Sequence, residues 1–124
     1  MIDFNNAYFL FSDQVAPDAF GPMIQRLLQQ NERVVYAFKG LRNGAVFTPL
    51  RIIAFNIEDN TYNRKHYTSL PYSKISAYSV MTIGPDDLMS RLEIWLTGLG
   101  KVGFSFQKNA DLTTIGQFID ARIL

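Results

Sequence analysis

Lys39, Arg42 and Arg51 stand close together in the stretch FKGLRNGAVFTPLRIIAF (residues 38–55), and Arg64, Lys65 and Lys74 follow soon after. Side chains of this type bind phosphate or carboxylate groups when they converge. Between residues 39 and 74 the six cations face only Glu58 and Asp59, a local charge of +4 in a chain of net charge +1. Two readings stand side by side: solvated charges on the wet face of a hairpin, or contact with an anionic surface or acidic partner. The Asn43-Gly44 pair predicts a type I′ turn too short to wrap a polyphosphate, which favours the hairpin.

Other residue types capable of chemistry lack companions. His66 is the only histidine and has no serine or aspartate motif beside it, so it reads as a surface or packed side chain rather than a base or metal ligand. Asp86 and Asp87 sit in a Gly-Pro turn, where acids commonly cap and solvate, and a metal would need more converging oxygens. Gly98 and Gly100 are turn glycines, since no helix follows to present free N–H groups to a phosphate. Neither catalysis, a metal nor a cofactor is expected.

The elements that would position these side chains follow from length and period. A chain of 124 residues with 48% apolar content suits one compact domain. Without cysteine it has no disulfide framework or thiolate nucleophile, which is compatible with a reducing compartment. With no basic n-region ahead of the aromatic cluster in MIDFNNAYFLF and no apolar run of about 20 residues, the expected location is the cytoplasm. The balanced net charge argues against a nucleic-acid binder.

Residues 1–31, rich in aromatics, are expected to form a helical extension packed on the domain, with a helix at roughly 22–30 carrying Met23, Leu27 and Leu28 on one side. Residues 32–124 form the domain proper. Period-two alternation predicts seven strands there, in ERVVYAFKGL, AVFT, RIIAFNI, RKHYTSLPY, KISAYSVMTI, RLEIWLT and KVGFSFQ. Pro49 makes a bend, and EDNTYN, GPDD and GLG mark turns. KISAYSVMTI places Ile75, Ala77, Ser79, Met81 and Ile83 opposite Tyr78 and Val80. A closing amphipathic helix, capped by Asn109 or Asp111, aligns Leu112, Ile115, Ile119 and Ile123. Together these give a mainly β fold: a strongly bent antiparallel sheet or partly open barrel of seven strands, plugged by a C-terminal helix.

This order, with NERVVYAFKGLRNGAVFTPLRIIAF, YTSLPYSKISAYSV and LEIWL, resembles the bacterial pleckstrin homology (PH) domain family over about residues 23–122. The Ser-hydrophobic-Pro-Tyr-x-x-Ile bend is the more specific motif, while Pro49 stands where members often carry Asn. In this reading Pro71 breaks a strand at a corner and Tyr72 buries its ring there. The resemblance implies a non-enzymatic interaction scaffold that self-assembles, in the manner of a ring. Tyr8, Phe9, Phe11, Phe20 and Trp95 lie outside the expected core and must be covered either within the subunit or by a neighbour. They are the expected interface, and deleting residues 1–12 is expected to weaken assembly while leaving a folded domain. The competing function is a peripheral module that binds anionic lipid or phosphate through Lys39, Arg42, Arg51, Arg64 and Lys65.

Overall fold

The computed structural model describes residues 7–57, 64–83, 89–107 and 110–124. Asp86, Asp87, Glu58, Asp59 and Asn109, singled out above, lie outside these residues. Among these residues nine strands and two α-helices follow in the order β1 (Ala7–Phe11), β2 (Asp13–Val15), α1 (Pro22–Gln25), β3 (Tyr36–Lys39), β4 (Asn43–Phe47), β5 (Arg51–Ile57), β6 (Lys65–Pro71), β7 (Ile75–Ile83), β8 (Met89–Leu96), β9 (Gly100–Phe106) and α2 (Leu112–Ile123). The seven expected strands are β3 to β9, and α2 is the expected closing helix. The strands form two sheets, β2-β3-β4-β5-β6 and β1-β9-β8-β7, where one bent antiparallel sheet or partly open barrel was expected, and they do not close into a barrel. A 3₁₀ turn at Tyr72–Lys74 carries the chain from one sheet to the other, and α2 packs against this turn and β7.

The N-terminal segment departs from expectation. Instead of a helical extension it contributes two strands, and its helix is only four residues long. AYFLF alternates: Phe9 and Phe11 point inward at 5% and 1% exposure, whereas Tyr8 and Leu10 point out. β1 pairs in parallel with β9, so the fold is not purely antiparallel, and β2 pairs antiparallel with β3. Residues 11–13 therefore cross the corner between the sheets, with the Ser12 N–H bonded to the Lys39 carbonyl at 2.9 Å. Helix α1 ends as its bonds tighten to three-residue spacing, with the Leu27 N–H on the Ile24 carbonyl at 2.9 Å and the Leu28 N–H on the Gln25 carbonyl at 3.2 Å, after which the Gln29 N–H donates to the Glu32 carboxylate at 2.8 Å. Asn31, at φ 68°, then reverses the chain.

One core lies between the sheets, around the stacked, tilted and edge-on rings of Phe9, Phe11, Phe38, Phe47, Phe104 and Phe106. A second, smaller core covers the outer face of the five-stranded sheet. There Ile24 buries itself against Ala37, Val46, Ile53 and Phe55, flanked by Phe20, Met23, Leu27 and Leu28. Strands β4 and β5 are thus covered on both faces, which is why AVF and IIAF run apolar without interruption.

Two local expectations shift. The first hairpin does not turn at Asn43-Gly44. These residues belong to β4, and the Gly40 N–H bonds to the Asn43 carbonyl at 2.9 Å around Leu41 and Arg42, neither at positive φ. Gly44 serves packing instead, because a Cβ there would strike the Phe55 ring and the Phe38 carbonyl oxygen. In β7, a bulge between Ile75 and Ala77 breaks the expected face. Ile75 joins the core while Ala77, Ser79 and Met81 face solvent. Gly98 and Gly100 turn β8 into β9 at positive φ as turn glycines, and Asp111 caps α2 by accepting from the Thr114 N–H at 3.1 Å.

Candidate functional site

The six cations separate into two groups. Strand register places Lys39 opposite Gly44, and the Ile57 N–H donates to the Arg42 carbonyl, with Lys65 opposite Ile57. Lys39, Arg42, Arg64 and Lys65 therefore gather at one end of the five-stranded sheet. Lys74 and Arg51 stand at the other end, where β5 begins and β6 ends. His66 pairs with Asn56 in the β5–β6 ladder and is half-buried. Among the described residues there is no group of His, Asp and Glu side chains that could hold a metal ion.

Arg51 is engaged within the fold. Its Nη2 lies 3.0 Å from Glu32 Oε1 and its Nε 3.1 Å from Oε2, a bidentate pair, and Nη2 also donates to the Leu27 carbonyl at 2.8 Å. Thr48 Oγ1 donates to the same carboxylate at 2.6 Å, and it accepts from the Leu50 and Arg51 N–H groups in the bend at Pro49. The Glu32 side chain has no exposed surface. Burial pushes its carboxyl pKa up, but the bonds from Arg51, Thr48 and the Gln29 N–H outweigh this and hold it below the ordinary value. The Tyr72 hydroxyl donates to the Thr48 carbonyl at 2.8 Å from a buried position, and desolvation raises its pKa beyond the usual phenol range. The Thr-x-x-Arg and Pro-Tyr motifs thus meet in one lock that fastens residues 27–32 to the ends of β5 and β6. Its chemistry is structural, and Glu32 is the member that the sequence reading missed, because a lone Glu in NER carries no signal of its partner.

The predicted interface residues also divide. Phe9 and Phe11 are covered by this chain's own core, and Phe20 packs edge-on against Phe55 at 5.0 Å between ring centres. Tyr8 and Trp95 are exposed at 49% and 37%, and both stand on the outer face of the four-stranded sheet. Cross-strand register sets Tyr8 beside Gly103 and Glu93, and Trp95 beside Lys101 and Ala77. Gly103 leaves room for the Arg91 guanidinium to cross the sheet and lie 4.7 Å over the Tyr8 ring. The Tyr8 hydroxyl bonds to Ser105 Oγ at 2.6 Å. Lys101 Nζ reaches Glu93 Oε2 at 2.7 Å and sits 6.0 Å over the Trp95 ring. The Lys101 bond holds the Glu93 carboxyl below its ordinary pKa against the effect of burial. Leu10, Met81 and Met89 add exposed apolar surface to the same face. Residues 15–34 cover the outer face of the other sheet, whereas no described element covers this one.

The description "Bacterial PH domain" belongs to the family model that matches residues 4–123 of this chain. The chain belongs to the bacterial PH domain family. The match begins well before residue 23, so β1 and β2 are part of the family pattern and not an appendage to it. The uncharacterized protein YjqA of Bacillus subtilis is 35% identical over 100 residues, covering 79% of this chain and 80% of its own. A DUF1696 family protein with a pleckstrin-homology domain from Shewanella loihica superposes with a TM-score of 0.77 at 26% identity, over 90% of this chain and 96% of the other. A pleckstrin homology domain from Shewanella amazonensis gives a TM-score of 0.67 at 26% identity, over 91% of each chain.

As a bacterial PH domain, the protein carries a fold whose family supports a non-enzymatic module role. Two surface features stand out: a cationic end of the five-stranded sheet and an aromatic outer face of the four-stranded sheet that no described element covers. No helix among the described residues is long and apolar enough to cross a membrane.

Proposed function

We propose that this PH domain is a cytoplasmic, non-enzymatic scaffold that self-assembles into a homo-oligomer through the outer face of its four-stranded sheet. The carrying observation is the asymmetry of cover: one outer face lies beneath the N-terminal segment, while the other leaves Tyr8, Leu10, Met81, Met89 and Trp95 exposed. Exposed aromatic and methionine side chains interleaved with Arg91, Glu93 and Lys101 match the composition of protein interfaces, where aromatics, Met and Arg are enriched. Repeated head-to-tail contacts of one such face against a different patch would close a ring if the rotation between neighbours is a whole fraction of a turn. The same face could equally receive an unidentified protein partner.

Light scattering across a range of concentrations is expected to give a multiple of the monomer mass for the full chain. Trp95→Glu is expected to shift the distribution to monomer while leaving the circular dichroism spectrum unchanged, because this ring stands outside the core. A constant monomer mass for the unaltered chain would end the proposal.

A second reading is favoured by the convergence of Lys39, Arg42, Arg64 and Lys65 at one sheet end: weak contact with an anionic membrane or a phosphate group. Surface cations contribute about 1 kcal/mol each near an anionic bilayer, and salt screens that attraction. Under the scaffold reading, vesicles containing phosphatidylserine retain little protein at physiological ionic strength, with Lys39→Glu and Arg42→Glu changing that little. Salt-sensitive sedimentation that this double substitution abolishes would promote the membrane reading.

A further inference from the structure

We infer that the outer edge of β7, with the groove between it and α2, binds an extended peptide strand that is uncharged along its paired length and carries a lysine or arginine where it passes Asp120. Strand β7 is nine residues long and ends its sheet, paired with β8 on one side and with no described strand on the other. An edge of this kind presents a row of backbone N–H and C=O groups that fits another strand. Its sequence, ISAYSVMTI, contains no charged residue and no proline. The opposite long edge, β6, carries Lys65 and His66 and ends on Pro71, the residue types that discourage strand addition. Of the two long edges, β7 is the one left receptive.

The ground beside that edge is shaped as well. Helix α2 is tied to β7 by the Tyr78 hydroxyl, which donates to the Gly116 carbonyl at 3.2 Å. Next to this contact lies an open groove of about 340 Å³, lined by Tyr78, Val80, Leu112, Gly116, Gln117 and Asp120 among others. A strand added to β7 would direct alternate side chains into the groove, over Val80 and Leu112, where an apolar residue fits. Asp120 is the one charged residue among the described lining residues, so charge complementarity calls for a cation there. β7 has no cation, so a two-fold copy of this edge would bring Asp120, which already neighbours the Tyr78 hydroxyl, no opposite charge. The site is separate from the sheet face proposed for self-assembly, and either proposal can fail without the other.

The test uses the full chain and fluorescein-labelled eight-residue peptides that alternate threonine and valine, with arginine at one end or the other. Saturable binding by fluorescence anisotropy is expected for at least one of them, together with slowed amide hydrogen exchange confined to residues 76–82. N-methylation of alternate peptide nitrogens should abolish binding, because it removes the ladder donors and leaves the side chains in place. Asp120→Lys should weaken the arginine peptide about fivefold, in line with an exposed ion pair, and favour a matched peptide that carries glutamate in place of the arginine. No saturation at millimolar peptide, equal affinity for the N-methylated form, or protection elsewhere than β7 would overturn the inference. Loss of binding on oligomerisation, restored in the monomeric Trp95→Glu chain, would assign the edge to a second copy and also overturn it.

Discussion

Arg51→Ala is expected to lower the free energy of unfolding by about 3–5 kcal/mol, because it strands a buried carboxylate without its cation. Glu32 has no solvent to fall back on, and Arg51 supplies both of its bidentate contacts at 3.0 and 3.1 Å. The loss should appear in urea melts as a lower midpoint with an unchanged slope. Replacing both partners, Glu32→Leu with Arg51→Met, should recover much of the difference, since a packed apolar pair escapes the desolvation penalty. A change of less than about 0.5 kcal/mol in Arg51→Ala, the scatter of ordinary surface substitutions, would show that the lock contributes little.

The same carboxylate sets a pH dependence whose sign is fixed. Because the Glu32 pKa in the fold lies below the ordinary value of about 4.3, the folded state binds fewer protons than the unfolded one across that interval. Its contribution is therefore fully present above the ordinary value and is lost as pH falls through the lowered folded value. Glu93 and Asp111 are shifted in the same direction, so in the unaltered chain the effect of Glu32 adds to theirs. Comparing it with Glu32→Gln from pH 7 downwards isolates one: the stability gap between the two proteins should narrow as the solution is acidified. A gap that stays constant below pH 4 would contradict the assignment. A consequence for ligand work is that Arg51, although cationic and near other cations in sequence, is unsuitable for testing anion binding, since its loss disturbs the fold.

Phe11→Ala is expected to cost about 3–5 kcal/mol, the range for emptying a buried phenylalanine site. The ring sits at 1% exposure, 5.9 Å from Phe38 and Phe104 and 5.5 Å from Phe106 between centres, so both sheets lose packing at once. Truncation of residues 1–12 should be harsher still. It removes Phe9 and Phe11 together and strips β9 of its parallel partner, exposing a long edge to aggregation. The seven strands β3 to β9 with α2 are thus not expected to stand as an independent folded unit. Near-ultraviolet circular dichroism and light scattering would report the loss of packing and the association of exposed edges. A truncated chain that melts cooperatively near the full-length midpoint would show that the aromatic strand is dispensable.

Several features were legible in the sequence because they are local. Alternation of apolar side chains marked β3 to β9, and the change of period at Leu112 marked α2, since strand and helix repeats are set within a few residues. Pro71 with Tyr72 marked the corner between the sheets, and Gly98 with Gly100 marked the last turn. These elements carried the resemblance to the bacterial PH domain family, but not the two N-terminal strands or the parallel pairing of β1 with β9.

Partner choice was not legible, because it depends on groups far apart in the chain. AYFLF alternates like a strand, but only the gap beside β9 decides that it joins there in parallel. Asn43-Gly44 has good turn chemistry, yet Phe55, packed across the β4–β5 ladder, needs the space that Gly44 leaves, and the turn moves to Leu41-Arg42. Arg51 reads as one more exposed cation until Glu32, 19 residues earlier, is brought beneath it. Which aromatics are available to a partner was likewise a tertiary outcome: Phe9 and Phe11 turn inward because a sheet stands above them, while Tyr8 and Trp95 stay out because nothing described folds over the other side. Period is a property of neighbouring residues, whereas cover is a property of the whole packed chain.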